Sequence, residues 1–214
     1  MEREVLIPAG AARLPGTLDV PDGARGVVVF AHGSGSSRLS PRNREVAAVL
    51  RAPGHVGTLL FDLLTPDEDR VYATRFDIPL LVDRLLAAVR WMLAEPGFEE
   101  TRIGLFGAST GAAAALGAAA ELPGPVRAVV SRGGRPDLAG DALSRVVAPT
   151  LLIVGGLDTE VIRLNEGALQ ALGSGEKLLE IVPGATHLFE EPGTIEQVSR
   201  LSSEWFERHL AAGA

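Results

Sequence analysis

Short apolar runs rich in Val, Leu and Ile alternate along the chain with longer stretches in which apolar residues recur every three or four positions. The runs suit strands buried on both faces. The longer stretches suit helices that lay one stripe on a sheet, so the alternation predicts a mostly parallel sheet covered on both sides. Strands are expected at residues 4–7, 17–20, 27–31, 57–61, 102–106, 126–131, 150–154 and 177–182. The first two, linked through residues 8–16, are expected to form an antiparallel hairpin at one edge, with the other six parallel. Ser40-Pro41 opens a helix to about Leu50, which Pro53-Gly54 ends. Residues 79–93 set Leu81, Val82, Leu85, Leu86, Val89 and Met92 on one helical stripe. Another helix is expected over 110–122, and Thr194-Ile195-Glu196-Gln197 reads as a capping box before a last helix to about Leu210.

Composition narrows the chemistry. With 214 residues, no linker and no repeat, one domain over 1–214 is expected. Twenty Lys and Arg against 27 Asp and Glu give a net charge of −7, which supplies no basic field for nucleic acid. The absence of Cys excludes a thiol nucleophile and thiolate metal sites, and four His leave little for a metal cluster, so neither metal nor cofactor is expected. The charged start Met1-Glu2-Arg3-Glu4 does not read as a secretory signal, and a cytoplasmic location is expected. Residues 103–120 are uncharged for about the length of a bilayer span, but four Gly, Ser109 and Thr110 interrupt them. A buried strand, turn and helix fit better, and no membrane association is expected.

That turn carries the chemistry. Gly107-Ala108-Ser109-Thr110-Gly111 is a G-x-S-x-G pentapeptide with a strand predicted before it and a helix after it. Such a reversal strains its middle residue, and the flanking glycines remove the Cβ atoms that would collide. Ser109 would stand at the carboxyl end of the sheet, where open α/β sheets place their sites. A serine needs a base, and sheet position separates the four histidines. His55 precedes a strand, at the wrong end of the sheet; His209 reads as a solvated residue of the last helix; His32 belongs to the strand-exit loop His32-Gly33-Ser34-Gly35. His187 follows the strand at 177–182 through Pro183-Gly184-Ala185-Thr186 and is the expected base. Asp158, after the strand at 150–154, is the expected carboxylate partner; Asp62 and Asp137 also end strands and read as loop braces. The N–H groups of Thr110 and Ser34 are expected to hold the oxyanion.

On these residues the chain resembles the α/β-hydrolase superfamily over essentially its whole length, and within it the small dienelactone hydrolase-like serine hydrolases. The matching pieces are His32-Gly33-Ser34-Gly35, Gly107-Ala108-Ser109-Thr110-Gly111, Gly155-Gly156-Leu157-Asp158 and Gly184-Ala185-Thr186-His187. The resemblance implies an α/β/α sandwich around an eight-stranded, mostly parallel sheet. It also implies hydrolysis of small carboxylic esters or lactones through Ser109, His187 and Asp158, with water as acyl acceptor. Dienelactone hydrolases proper typically use a cysteine nucleophile, which this chain lacks, so the namesake substrate does not carry over. The alternatives are an acyltransferase or perhydrolase that uses the same triad with another acceptor, and a noncatalytic binding protein on the same fold, which would be expected to have lost a triad member. The segment 63–76 is too short for a separate cap domain, so the site is expected to be lightly covered. His32, Arg132, Arg135 and Tyr72 are candidate substrate-binding residues. The two arginines would either clamp a carboxylate or brace loops through Asp62, Asp137 or Asp141.

Overall fold

The computed structural model describes residues 2–211, and in these the predicted alternation becomes one sheet of eight strands. The strands are β1 (Glu2–Ala9), β2 (Ala12–Asp19), β3 (Gly26–Ala31), β4 (Val56–Phe61), β5 (Arg102–Ala108), β6 (Val126–Arg132), β7 (Thr150–Gly155) and β8 (Lys177–Val182). Their order is β1-β2-β4-β3-β5-β6-β7-β8. β1 and β2 pair antiparallel, β2 meets β4 antiparallel, and every later pairing is parallel. The edge hairpin is as expected but longer, because the turn is only Gly10-Ala11 and both Pro8 and Pro15 lie within the paired strands.

Alternate residues of the central strands feed two cores. Val27, Val29 and Ala31 point toward α3 (Ile78–Ala94), α4 (Thr110–Glu121) and α5 (Thr159–Ala171). Val28 and Phe30 point the other way, toward α1 (Pro41–Arg51) and α6 (Thr194–Phe206), where Phe106 and Phe206 join them. This strict alternation across a sheet buried on both sides makes the three-layer sandwich. α1 starts as its sequence predicts, with Ser40 accepting a hydrogen bond from Asn43 N–H at 3.4 Å. The α3 stripe Leu81, Leu85, Leu86, Val89 and Met92 is buried.

Two expectations need correction. The capping box at Thr194 does not form: Gly193 is the N-cap, and the Thr194 hydroxyl donates to Glu191 O at 2.7 Å instead of accepting from the helix. The box occurs instead at Thr65 and Glu68, ahead of α2 (Pro66–Arg70). His209 is not solvated; its side chain is 12% exposed and packs edge-on to Trp205 at 4.8 Å. α5 and the 3-10 segment Pro136–Arg145, which follow the exits of β7 and β6, were not legible beforehand.

The uncharged stretch 103–120 is divided between β5 and α4 at Ser109, and among the described residues no helix is long and apolar enough to cross a membrane. α4 is buried nearly all round, which its small residues permit. A Cβ on Gly107 would lie 2.5 Å from Ala112 Cα, and one on Gly111 would lie 2.2 Å from Ala31 O. Gly107→Ala is therefore expected to lower stability by about 1–3 kcal/mol, the usual range for overpacking, as read from chemical denaturation. Gly167 in α5, with nothing within 4 Å of a built Cβ, should behave in the opposite way. Gly167→Ala is expected to raise stability by about 0.5–1 kcal/mol.

Candidate active site

β5 leads straight into α4, and the residue between them takes the strained backbone angles φ 51° and ψ −120°. That residue is Ser109, one of two non-glycine residues with positive φ among those described. Three hydrogen bonds hold the reversal. Ser109 N–H donates to Arg132 O at 3.2 Å, and Ser109 O accepts from Ala112 N–H and Arg135 N–H. The strain is thus sustained by backbone on β6 and α4, as strain at functional sites generally is.

Asp158 and His187 arrive from the exits of β7 and β8, the two strands beyond β6. Gly155 ends β7 against the loop after β8, where a Cβ would lie 2.5 Å from both Ala185 O and Thr186 O. That close approach lets Leu157 N–H bond Ala185 O at 2.9 Å and sets the two loops side by side. Asp158 Oδ2 accepts from His187 Nδ1 at 2.7 Å, and His187 Nε2 stands 3.4 Å from Ser109 Oγ. The structure brings the three predicted residues together in one relay, with the Asp158 side chain 15% and His187 37% exposed. The second contact is long, as such contacts often are before substrate tightens them.

The strand-exit loop after β3 differs from expectation. Ser34 N–H does not face Ser109; it donates to Thr110 Oγ1 at 2.9 Å. The neighbouring Gly33 N–H has no partner among the described residues, and a Cβ on Gly33 would touch Ser109 Cβ at 3.1 Å. Thr110 N–H opens α4 and points where the dipole favours negative charge. His32 does not enter the site either. It is 7% exposed, its Nε2 accepts from Leu63 N–H at 3.0 Å, and its Nδ1 donates to Gly33 O at 2.9 Å. Both ring nitrogens are spent on holding two strand exits together.

Of the remaining candidates, Tyr72 lies 72% exposed against Phe76, with 5.1 Å between ring centroids, and does not line the cavity at Ser109. Its segment, α2 followed by the 3-10 turn Tyr72–Phe76, instead fills the far side of the residue 32–35 loop. There Arg75 is tied to Asp69 at 3.0 Å. Arg135 forms a two-pronged pair with Asp137 at 2.8 and 2.7 Å, the bracing arrangement. Asp62 also braces, accepting from Arg38 N–H at 2.7 Å.

Arg132 is the exception. It is 7% exposed, pairs with no carboxylate among the described residues, and donates through Nη2 to Asn43 Oδ1 at 3.2 Å. Its guanidinium sits 5.8 Å from the Phe189 ring centroid. Burial, with help from the nearby Arg42 charge, pulls its pKa down to about 10, so it remains a cation at neutral pH. Together with Ser109 and His187 it lines a cavity of about 260 Å³.

A strained serine on a strand-to-helix turn, a histidine and a carboxylate from later strand exits, and an eight-stranded sheet in this order define an α/β-hydrolase. The family model for the dienelactone hydrolase family matches residues 17–210, and the chain belongs to that family. A crystal structure of dienelactone hydrolase from Anabaena variabilis is 54% identical, with a TM-score of 0.94 and 98% of each chain covered. Est1E from Butyrivibrio proteoclasticus shares the fold at 18% identity, with a TM-score of 0.81 over 98% of this chain and 99% of its own. Relatives from two Mycobacterium tuberculosis strains are 59% identical over 209 residues and carry the provisional name phosphoribosyl transferase. The match covers 98% of this chain but 47% of those proteins, so the chain spans about half their length.

His32 gives the site loop a measurable pH response. Desolvation lowers its pKa below 6.5, outweighing Gly33 O, Asp62 and Asp69, which act the other way. The unfolded chain therefore takes up this proton at a pH where the folded chain does not, and stability falls as pH drops below 6.5. His209, also lowered by burial, adds in the same direction, whereas the lowered carboxylates Glu4 and Glu68 act below 4.5. Thermal midpoints are expected to fall between about pH 7 and about pH 5.5, and to fall less in His32→Gln. Equal slopes in the two proteins would remove His32 from this account.

Proposed function

We propose that the chain is a carboxylic ester hydrolase that works through an acyl-enzyme on Ser109. The observation that carries this is the continuous relay from Asp158 Oδ2 through His187 to Ser109 Oγ, with separations of 2.7 and 3.4 Å. Asp158 holds the proton of His187 on Nδ1, which leaves Nε2 as the base facing the serine. Ser109 Oγ attacks the ester carbonyl carbon while its proton passes to Nε2. The tetrahedral oxyanion lies against the N–H groups of Thr110 and Gly33, the latter replacing Ser34, whose N–H is occupied by Thr110 Oγ1. As the carbon–oxygen bond breaks, His187 returns the proton to the departing alcohol. Water, deprotonated by the same imidazole, then releases the acid and restores Ser109.

The site favours small substrates, because the cavity at Ser109 is about 260 Å³. The phosphoribosyl transferase name belongs to proteins of which only 47% is matched. The Ser-His-Asp relay in the matched part suits acyl transfer.

A fluorophosphonate probe is expected to label Ser109, read by peptide mass. Ser109→Ala is expected to lose labelling and about 10⁴-fold or more of kcat on simple aryl esters, with an unchanged circular dichroism spectrum. Ester hydrolysis that survives in a folded Ser109→Ala protein would overturn the assignment. Folded wild-type protein that neither labels nor hydrolyses would instead favour a noncatalytic binding role.

A further inference from the structure

The cavity beside Ser109 carries positive charge that the hydrolysis chemistry does not require. Arg132 lines it, buried, and among the described residues it has no carboxylate partner and its Nε no hydrogen-bond partner. Arg42 lines the same cavity; its Nε is also buried without a partner, while its Nη1 reaches the exposed Glu190 at 3.0 Å. Among the described residues no Asp or Glu lines the space. A buried cation left without an anion is costly, and a sequence that keeps one at a binding cavity points to an anion supplied from outside.

The helix beside it adds a second, independent sign. α1 opens on this cavity through Ser40, Arg42 and Asn43. Its first turn holds no acidic residue, and Arg42 and Arg44 stand where the helix dipole is positive. Cations there repel the dipole, whereas an anion is stabilised by both. The stacking of Arg132 over Phe189 and its bond to Asn43 hold the guanidinium in one place. The Ser36 and Ser40 side chains line the same wall.

We propose that this cavity is a phosphoryl-binding subsite, and that the ester cleaved at Ser109 carries a phosphate monoester gripped by Arg132 and Arg42. A phosphate monoester brings a charge of about −1.5 to −2 and three acceptor oxygens, for which Arg132 and Arg42 supply guanidinium donors and α1 supplies the positive end of its dipole. Arg42 already meets Glu190, so the difference lies in acceptors: a carboxylate brings two oxygens where a phosphate monoester offers three to the donors of Arg132, Arg42 and Ser36 that line the space. The phosphate takes no part in the bond changes: the acyl carbon–oxygen bond breaks as above, and the phosphorylated fragment leaves intact. The inference rests on the ester hydrolase reading for its substrate, but not for the anion site itself.

Three acetates of equal reach test it: 3-acetoxypropyl phosphate, 4-acetoxybutyrate and neutral 3-acetoxypropanol, with acetate release measured at fixed ionic strength. Wild-type kcat/KM is expected to favour the phosphate over the neutral ester by about 100-fold, with the carboxylate between them. In Arg132→Met that ratio is expected to fall to about 3-fold or less, and in the more exposed Arg42→Gln it is expected to fall partway. Inorganic phosphate should inhibit wild-type hydrolysis of the neutral ester competitively and raise the thermal midpoint, with sulfate and chloride at equal ionic strength as controls. If Arg132→Met does not fold, Arg42→Gln and phosphate inhibition of the wild type decide the matter. Equal use of all three esters without phosphate inhibition would overturn the phosphoryl site and leave the esterase standing. A clear preference for the carboxylate would overturn it in favour of a carboxylate site. A midpoint raised by phosphate in wild type but not in Arg132→Met, with no ester turned over, would keep the anion site and remove the esterase reading.

Discussion

The reversal at Ser109 depends on backbones approaching more closely than side chains permit. With β5 ending at Ala108 and α4 beginning at Thr110, one residue turns the chain, and it does so at φ 51°. Gly107 faces the backbone of α4, Gly111 faces the carbonyls of Ala31 and His32, and Gly33 faces Ser109 itself. Those contacts bring α4 down onto β3 and β5 and raise Ser109 at the carboxyl end of the sheet. They also explain why α4 is almost entirely Ala and Gly: the helix closest to the sheet has the least room. The strands that carry Asp158 and His187 are then placed by sheet order, since β7 and β8 follow β6 outward from the turn.

Two buried polar residues near this turn show opposite solutions to one cost. His32 satisfies both ring nitrogens with backbone groups of the β3 exit and the β4 exit, and burial keeps it neutral. It is a brace, and the region between it and Arg75 is almost filled. Arg132 cannot be made neutral, since even its lowered pKa stays near 10, and it meets only a neutral amide and an aromatic face. One group is internally satisfied and the other still has capacity to bind. Arg135, three residues along and the same type, differs again because Asp137 is within reach of both its prongs.

Much of this was legible in the chain. Strand positions followed from apolar runs, and seven of the eight strands fell within two residues of expectation at their amino ends, because a sheet buried on both faces needs uninterrupted apolar sequence. The exception is β2, which starts at Ala12 instead of residue 17 because an edge hairpin pairs through its prolines. α5 is hard to see in the chain because Asp158 makes no side-chain cap and the buried stripe is only Val161, Asn165 and Ala168. The Thr194 box does not form because the helix starts one residue earlier, with Gly193 as its N-cap, and the Thr194 hydroxyl donates to Glu191 O.

Ser109, Asp158 and His187 could be placed together from the chain alone, because each sits at a strand exit marked by small residues, and the exits of parallel strands converge on one edge of the sheet. Only the tertiary structure decided what the remaining polar groups do. Whether Ser34 N–H faces the oxyanion or Thr110 Oγ1, whether His32 meets substrate or Leu63, and whether an arginine finds a carboxylate are matters of one or two ångströms between segments far apart in the chain. Local pattern carries no information at that scale, so Arg132 and Arg135 look alike in sequence and only packing leaves the first buried beside Ser109 with its charge unpaired.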